Sequence, residues 1–308
     1  MRAKIAPLFT AVAGCALLAS CFGGGGNDSP TPAPTPSPSP SPTPTPTPTP
    51  TAVVFSFAQP FTATAANSSL IYAYFAPTGG AETWNDGAFQ PGTATVTYAP
   101  SPESAKLAFP DGGATTTFAA ADLTSSTATL RRYKKGTDGL AIEIPFTHSA
   151  RATYDSFVDF TKGGTAGKLH AYRVSVFFNT VTTTAGISSN LSYTGTPAVA
   201  GGTPGTTPPG AFSADPATLT VTASDSKLTG SLRIYENVGG VRTLRATLPL
   251  NLTLNTTGGF TGTIADSTAG YSGTVFGSLA GPNREEIVFI FNVTASDGKE
   301  IIGSFLGD

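Results

Sequence analysis

From Val53 onward, apolar and polar residues alternate in short runs separated by Gly, Pro, Asn and Asp. A period of two is the mark of a β-strand, because successive side chains leave the backbone on opposite faces. SLIYAYF (69–75), TATVTYA (93–99), GLAIEIPF (139–146) and LHAYRVSVFF (169–178) read as strands on this ground. In the last of them Leu169, Ala171, Arg173, Ser175 and Phe177 fall on one side, and His170, Tyr172, Val174 and Val176 on the other. No long stretch carries the 3.6-residue period of an amphipathic helix. FAAADLTSS (118–126) has room for a single short helix.

A Gly/Pro-rich break, GTPAVAGGTPGTTPPGAF (195–212), interrupts the pattern. It reads as a domain boundary or as one long loop inside a single barrel. Beyond it the alternation resumes in about seven strands: LTVTAS (219–224), GSLRIYE (230–236), VRTLRATLPLNLTLN (241–255), GFTGTIAD (259–266), GYSGTVFGSLAG (270–281), EIVFIFNVTA (286–295) and EIIGSFLG (300–307). The third is long enough to be two strands bent at Pro249, which gives eight. Glycines inside strands and a tight turn at Ser296-Asp297-Gly298 suit an antiparallel barrel. The expectation is therefore an all-β chain: a β-rich domain over residues 53–200, then an eight-stranded antiparallel β-barrel over 201–308. Closure would remove the edges that so β-prone a sequence otherwise exposes.

The N-terminus follows different rules. Arg2 and Lys4 precede a mostly apolar run, Ile5 to Leu18, and the small residues Ala19 and Ser20 precede Cys21. These are the zones of a secretory signal, and the run is short for a membrane-spanning helix. Leu18-Ala19-Ser20-Cys21 resembles the bacterial lipobox, which implies a signal peptide over 1–20 and lipidation of Cys21. Each buried CH₂ contributes about 0.8 kcal/mol, so more than one acyl chain is needed for a stable anchor. Residue 22 is Phe rather than the Asp that commonly retains such lipoproteins in the inner membrane, which favours the outer membrane. From Pro30 to Pro50 every even position is proline. Such a run favours polyproline II at about 3.1 Å per residue, a reach of roughly 60–70 Å. Residues 21–52 thus read as a lipidated tether, with Gly23 to Gly26 as its swivel.

Composition narrows the function classes. Only 12% of residues are charged, Gly (35) and Pro (26) are abundant, and net charge is −2. The basic stripe that nucleic-acid binding requires is missing, so no nucleic-acid partner is expected. Of the two cysteines, Cys15 lies inside the signal segment, so no disulfide framework is available. The one dense basic run is Arg131, Arg132, Lys134 and Lys135 around Tyr133. It reads either as a solvated hairpin end or as a contact for an acidic partner or lipopolysaccharide phosphates.

YSGTVFGSLAGPNREEIVFIFNVTASDGKEIIGSFLGD, residues 271 to the C-terminus, resembles the C-terminal barrel pattern of the transferrin-binding protein B family of surface lipoproteins. The matching places are Gly273, Gly277, Gly281-Pro282, Glu285 or Glu286, Ile287 to Phe291, and Gly303-Ser304-Phe305. Phe260-Thr-Gly-Thr and Tyr271-Ser-Gly-Thr fit a glycine-kinked hairpin, so the resemblance covers residues 228–308. Cys21 followed by tetraglycine is also similar to how several of these lipoproteins begin. The resemblance implies one lobe, with a handle domain at 53–200 and the barrel after it. It further implies a non-catalytic ligand-capture role at the cell surface, with an extracellular protein or a haem or iron ligand and an outer-membrane receptor as partners. The alternative is a structural or adhesive envelope lipoprotein without a small-molecule ligand. No site residue carries over from the family.

Catalytic and metal-binding patterns point the same way. No G-x-S-x-G elbow occurs. His148 and His170 are the only histidines, each either a haem ligand or a satisfied strand histidine, and no structural zinc set exists. Glu285 and Glu286 are adjacent and so point to opposite faces of a strand, which is poor geometry for a glycosidase pair. No enzyme activity, cofactor or metal is expected. Aromatic and basic character nominates Tyr72, Tyr74, Trp84 and the 131–135 run (Arg131, Arg132, Tyr133, Lys134, Lys135) as ligand-binding residues.

Overall fold

The computed structural model describes residues 52–308, a single compact unit. The signal segment, Cys21 and the proline-rich tether lie outside the described residues. The described residues are all-β: twenty-one strands, numbered in chain order, and one 3₁₀ turn at Ala120–Asp122 where a short helix is expected. All pairings are antiparallel, in three sheets.

Sheet A has the order β1 (Phe61–Ala66), β4 (Thr93–Pro100), β5 (Glu103–Ala108), β6 (Thr117–Ala119). Sheet B runs β3 (Thr83–Gln90), β2 (Ser69–Pro77), β11 (Thr165–Phe178), β10 (Ser149–Lys162), β9 (Asp138–Glu143), β8 (Leu130–Lys135), β7 (Leu123–Ser126). Sheet C runs β14 (Gly210–Ala214), β16 (Lys227–Val238), β15 (Ala217–Val221), β12 (Leu191–Gly195), β21 (Glu300–Gly307), β20 (Glu286–Ala295), β19 (Tyr271–Ala280), β18 (Gly259–Asp266). Two further strands join it: β13 (Ala198–Gly202) pairs with β21, and β17 (Val241–Thr253) pairs with β16.

The eight-stranded barrel is corrected on two counts. Sheet C has ten strands, and no closed barrel forms, because β17 and β18 share no backbone ladder. They nevertheless lie side by side. The Thr247 N–H donates to the Asp266 carboxylate at 2.7 Å, and a Cβ on Gly262 would meet Leu252 Cδ2 at 2.6 Å. Leu248, Leu250, Phe260, Ile264, Phe289 and Phe305 share one core inside this curl. Pro249 does not split β17; it is exposed, paired with Ser231, on a strand whose other edge is unpaired, where a missing N–H is tolerated.

The Gly/Pro-rich break is not a gap between sheets. β13 lies within it and β14 begins within it, β12 and β13 already belong to sheet C, and the change of sheet falls between Phe178 and Leu191. Within the break, Gly205 N–H donates to the Trp84 carbonyl (2.8 Å) and Trp84 N–H to the Thr206 carbonyl (2.9 Å), tying the loop to the edge of sheet B. Five-residue strands containing glycine carry too short a period to stand out from a loop.

Sheet B is covered on both faces. Ala152, Tyr154 and Phe177 pack with Val96, Tyr98 and Leu107 of sheet A in one core, while Leu70, Val174 and Val176 pack with Val288, Ile290, Ile302 and Leu306 of sheet C in another. The alternation expected along 169–178 holds, with apolar groups on both sides. Double coverage also explains EIVFIFNV. Ile287, Phe289 and Phe291 face the inside of sheet C and Val288 and Ile290 face sheet B, so the strand reads as a continuous apolar run. At its start, Glu286 accepts from the His148 N–H (2.7 Å) and the Ser149 hydroxyl (2.6 Å), joining sheet C to the start of β10.

Candidate ligand-binding cleft

Register on sheet B builds an aromatic row. Tyr72 of β2 stands opposite Tyr172 of β11, which stands opposite Asp155 of β10; one step along, Tyr74 is opposite His170 and His170 opposite Phe157. All lie on the face turned toward sheet C, because they are two residues from Leu70 and Val174 or a multiple of two. Tyr72 stacks on Tyr172 (centroids 4.8 Å, planes 10° apart) and on Trp84 (5.8 Å, 15°). Tyr74 stands edge-on to Tyr72, Trp84 and Tyr172 at 85°, 85° and 83°. His170 stacks on Phe157 at 3.9 Å and lies 4.4 Å from Tyr172.

Above the row sits a cavity of about 290 Å³, open to solvent. Tyr72, Tyr74, Tyr172 and Glu82 line one wall; Val199–Gly201 of β13 and Gly210–Phe212 of β14 line the other. Both glycines are required by close backbone approach, since a Cβ would lie 1.7 Å from the Asn237 carbonyl oxygen at Gly210 and 2.3 Å from that of Glu300 at Gly201. A smaller cavity of about 100 Å³ continues from Tyr72 past Arg151, Glu143 and Ser304. There Arg151 pairs with Glu143 and donates to the Ser304 hydroxyl at 3.2 Å.

The electrostatics keep the phenols neutral. Burial drives the Tyr72 hydroxyl far above the usual tyrosine range, with Tyr74 and Tyr172 adding to it. Burial and the Asp155, Tyr74 and Glu82 charges push Tyr172 up to about 12, and burial with Glu82 raises Tyr74. Burial works against the charge of Asp155, but the neighbouring His170 ring and the Lys134 ammonium outweigh it, and its pKa lies below the ordinary aspartate value. His170 Nδ1 is 3.3 Å from Glu82, while its buried Nε2 is 3.6 Å from Asp155 and has no partner within bonding distance.

The nominated residues do not form one site. Tyr72 and Tyr74 line the cleft; Trp84 is fully buried behind them, its indole N–H donating to Glu300 at 2.8 Å. The basic run lies four strands away on β8, about 20 Å across the sheet. Alternation divides it between both faces, and most of it is occupied. Arg131 pairs with Glu103 (3.6 Å) and covers the Phe57 ring (4.4 Å), and Tyr133 is buried and donates to Glu103 at 2.8 Å. Lys134 reaches the Thr137 carbonyl and Asp155, and Lys135 the Thr117 carbonyl. Arg132 alone is exposed without a side-chain partner among the described residues. Sequence reasoning missed Tyr172, Glu82 and Phe212. Tyr172 shares a strand face with His170 in the alternation, but only the register places it beside Tyr72.

Among the described residues, no group of three or more His, Cys, Asp or Glu side chains could hold a metal ion. His148 Nδ1 lies 3.3 Å from the Asn179 amide, and Glu285 bonds to Asn283 on the opposite face from Glu286.

No protein-family profile matches the chain, and no curated protein does. Solved structures do. Transferrin-binding protein B from serogroup B Neisseria meningitidis matches over 78% of this chain and 43% of its own length, at 14% identity and a TM-score of 0.42. A point mutant of the same protein from Haemophilus parasuis matches over 78% and 45%, at 14% identity and 0.43. The N-lobe of lactoferrin-binding protein B from Moraxella bovis matches over 79% and 99%, at 9% identity and 0.38. The chain thus spans less than half of these two transferrin-binding protein B chains and the length of the N-lobe of the lactoferrin-binding protein. In fold, it is similar to the lobes of transferrin- and lactoferrin-binding proteins B.

Proposed function

We propose that the protein is an outer-membrane lipoprotein, anchored through Cys21 and held out on its proline-rich tether, whose folded body captures an extracellular protein without catalysis. The cleft between sheets B and C is the capture site. The observation that carries this reading is the set of three neutral tyrosines lining one open cavity between sheets B and C. Tyrosine gives large, stiff, amphipathic contact area, the type of group that anchors protein interfaces. The sequence resemblance of residues 228–308 and the lipobox agree with that role. A protein ligand is favoured over haem because neither histidine lines either cavity: His148 lies beside Asn179, and His170 packs between Glu82, Asp155 and Phe157. An outer-membrane receptor would take the ligand onward.

The anchor and the capture role are tested separately. Globomycin should accumulate the unprocessed precursor, and Cys21→Ala should leave the membrane fraction; a Cys21→Ala chain still in membranes removes the anchor. Protease shaving of intact cells followed by pull-down from culture medium tests display and capture. A chain protected from protease, or one that recovers no protein, overturns surface capture.

A further inference from the structure

Five of the nine tyrosine hydroxyls donate to a protein oxygen: Tyr98, Tyr133, Tyr154, Tyr193 and Tyr235. Of the remaining four, three line the same 290 Å³ cavity: Tyr72, Tyr74 and Tyr172. These three residues are half-buried and their hydroxyls have no protein partner, which leaves hydrogen-bonding capacity for something that enters the space they line. The lining also holds one carboxylate, Glu82, and no Lys, Arg or His. The nearest basic groups are committed: His170 lies between Glu82 and Asp155, Arg151 pairs with Glu143 and Ser304, and Lys134 reaches Thr137 and Asp155.

The chemistry of the wall selects among ligands. A phenol presents a negative ring face and an oxygen that accepts. Tyr72 lies in the stack between Trp84 and Tyr172, so these two tyrosines present ring edges and hydroxyls, while Tyr74, perpendicular to them, adds its own ring beside the same space. Cations within about 6 Å of such rings are attracted, and a carboxylate on the rim adds to the attraction. An anion would meet the Glu82 carboxylate, and the one base beside it, His170, already faces Glu82 at 3.3 Å and Asp155 at 3.6 Å. A hard metal ion would require phenolates, which the surroundings disfavour.

We propose that this cavity receives a guanidinium or ammonium group, carried by a basic side chain of the captured protein. The identity of the carrier rests on the capture reading above; the cavity's preference for a cation does not.

Trp84 is the only tryptophan in the chain and stacks directly on Tyr72, so its emission reports on the cavity. The purified full-length chain is titrated at constant ionic strength with Nα-acetyl-argininamide, with tetramethylammonium and with the neutral isostere Nα-acetyl-citrullinamide. Expected are saturable changes in Trp84 emission with both cations and none with the citrulline compound. Glu82→Gln, at a partly exposed side chain, should weaken the arginine probe by roughly three- to tenfold. Tyr74→Phe should retain binding while Tyr74→Leu loses it, separating ring face from hydroxyl. Absence of a saturable response to either cation, an equal response to citrulline, or an unchanged affinity in Glu82→Gln overturns the proposal. A positive titration with a failed pull-down leaves the cavity chemistry standing and removes the protein carrier; the reverse result removes the cation pocket alone.

Discussion

Glu286 is the buried carboxylate that joins sheet C to sheet B, and its loss has a calculable effect. It is 3% exposed and accepts from the Ser149 hydroxyl, itself fully buried, and from the His148 N–H. Glu286→Ala leaves both donors without a partner, at about 1–3 kcal/mol each, with the half-buried His148 amide at the low end. The expected loss is about 2–4 kcal/mol, or a fall in melting temperature on the order of 10 °C for a body of this size. Glu286→Gln keeps one acceptor for the amide, and its NH₂ can donate to Ser149, whose hydroxyl rotates to accept. That variant should cost less than about 1.5 kcal/mol. The pH profile separates the two effects. Burial, only partly offset by Ser149 and His148, raises the Glu286 pKa above its ordinary 4.5. Between 4.5 and that raised value the folded chain holds a proton the unfolded chain has released, so this contribution falls as pH rises through the window. Thermal melts by circular dichroism from pH 4 to 8 should show that slope in the native chain and lose it in Glu286→Gln. A Glu286→Ala chain melting with the native one, or costing no more than Glu286→Gln, would refute the reasoning.

Other contacts give separate expectations. Asp111→Ala strips the carboxylate 2.7 Å from Arg173, which is 6% exposed, and should cost about 3–5 kcal/mol in chemical denaturation; Asp111→Ala with Arg173→Met should cost less than the two singly combined. Gly277→Ala places a Cβ 2.4 Å from Phe289 Cβ and 2.5 Å from the Val288 carbonyl oxygen, so it should cost more than about 2 kcal/mol. Gly239→Ala, at φ +57° with nothing within 4 Å, should cost about 1 kcal/mol by the same measurement. Asp155 has a folded pKa below its ordinary 3.8, so it adds stability above that value which is lost as pH falls through the folded one; Asp155→Asn should flatten that part of the acid limb.

Much of the strand content is legible in the alternation, because sheet faces differ in what they meet. β18, β20 and β21 occupy 259–266, 286–295 and 300–307 as the sequence predicts. Strands such as β13 and β14 escape notice because their glycines answer to close backbone approach, not to a buried face. Openness of the curl is illegible for a related reason. Whether β17 and β18 share a ladder depends on strand tilt and stagger, which local alternation does not encode. The cleft is half legible: Tyr72 and Tyr74, two residues apart, share a face in any strand, while Tyr172, Glu82 and Phe212 reach it through pairings between distant segments. Trp84 shows the limit of reading aromatic character alone. It belongs to the packing behind the site, and the conspicuous bases of β8 largely complete local ion pairs and carbonyl contacts.

The central claim is that ligand capture occurs at the cleft between sheets B and C. The direct measurement is the amount of protein recovered from medium by full-length chains carrying Tyr74→Ala with Glu82→Ala, compared with Arg132→Ala with Lys135→Ala on β8. The account predicts a fall of at least about tenfold for the cleft pair and native recovery for the β8 pair. Native recovery by the cleft pair together with loss in the β8 pair would contradict it.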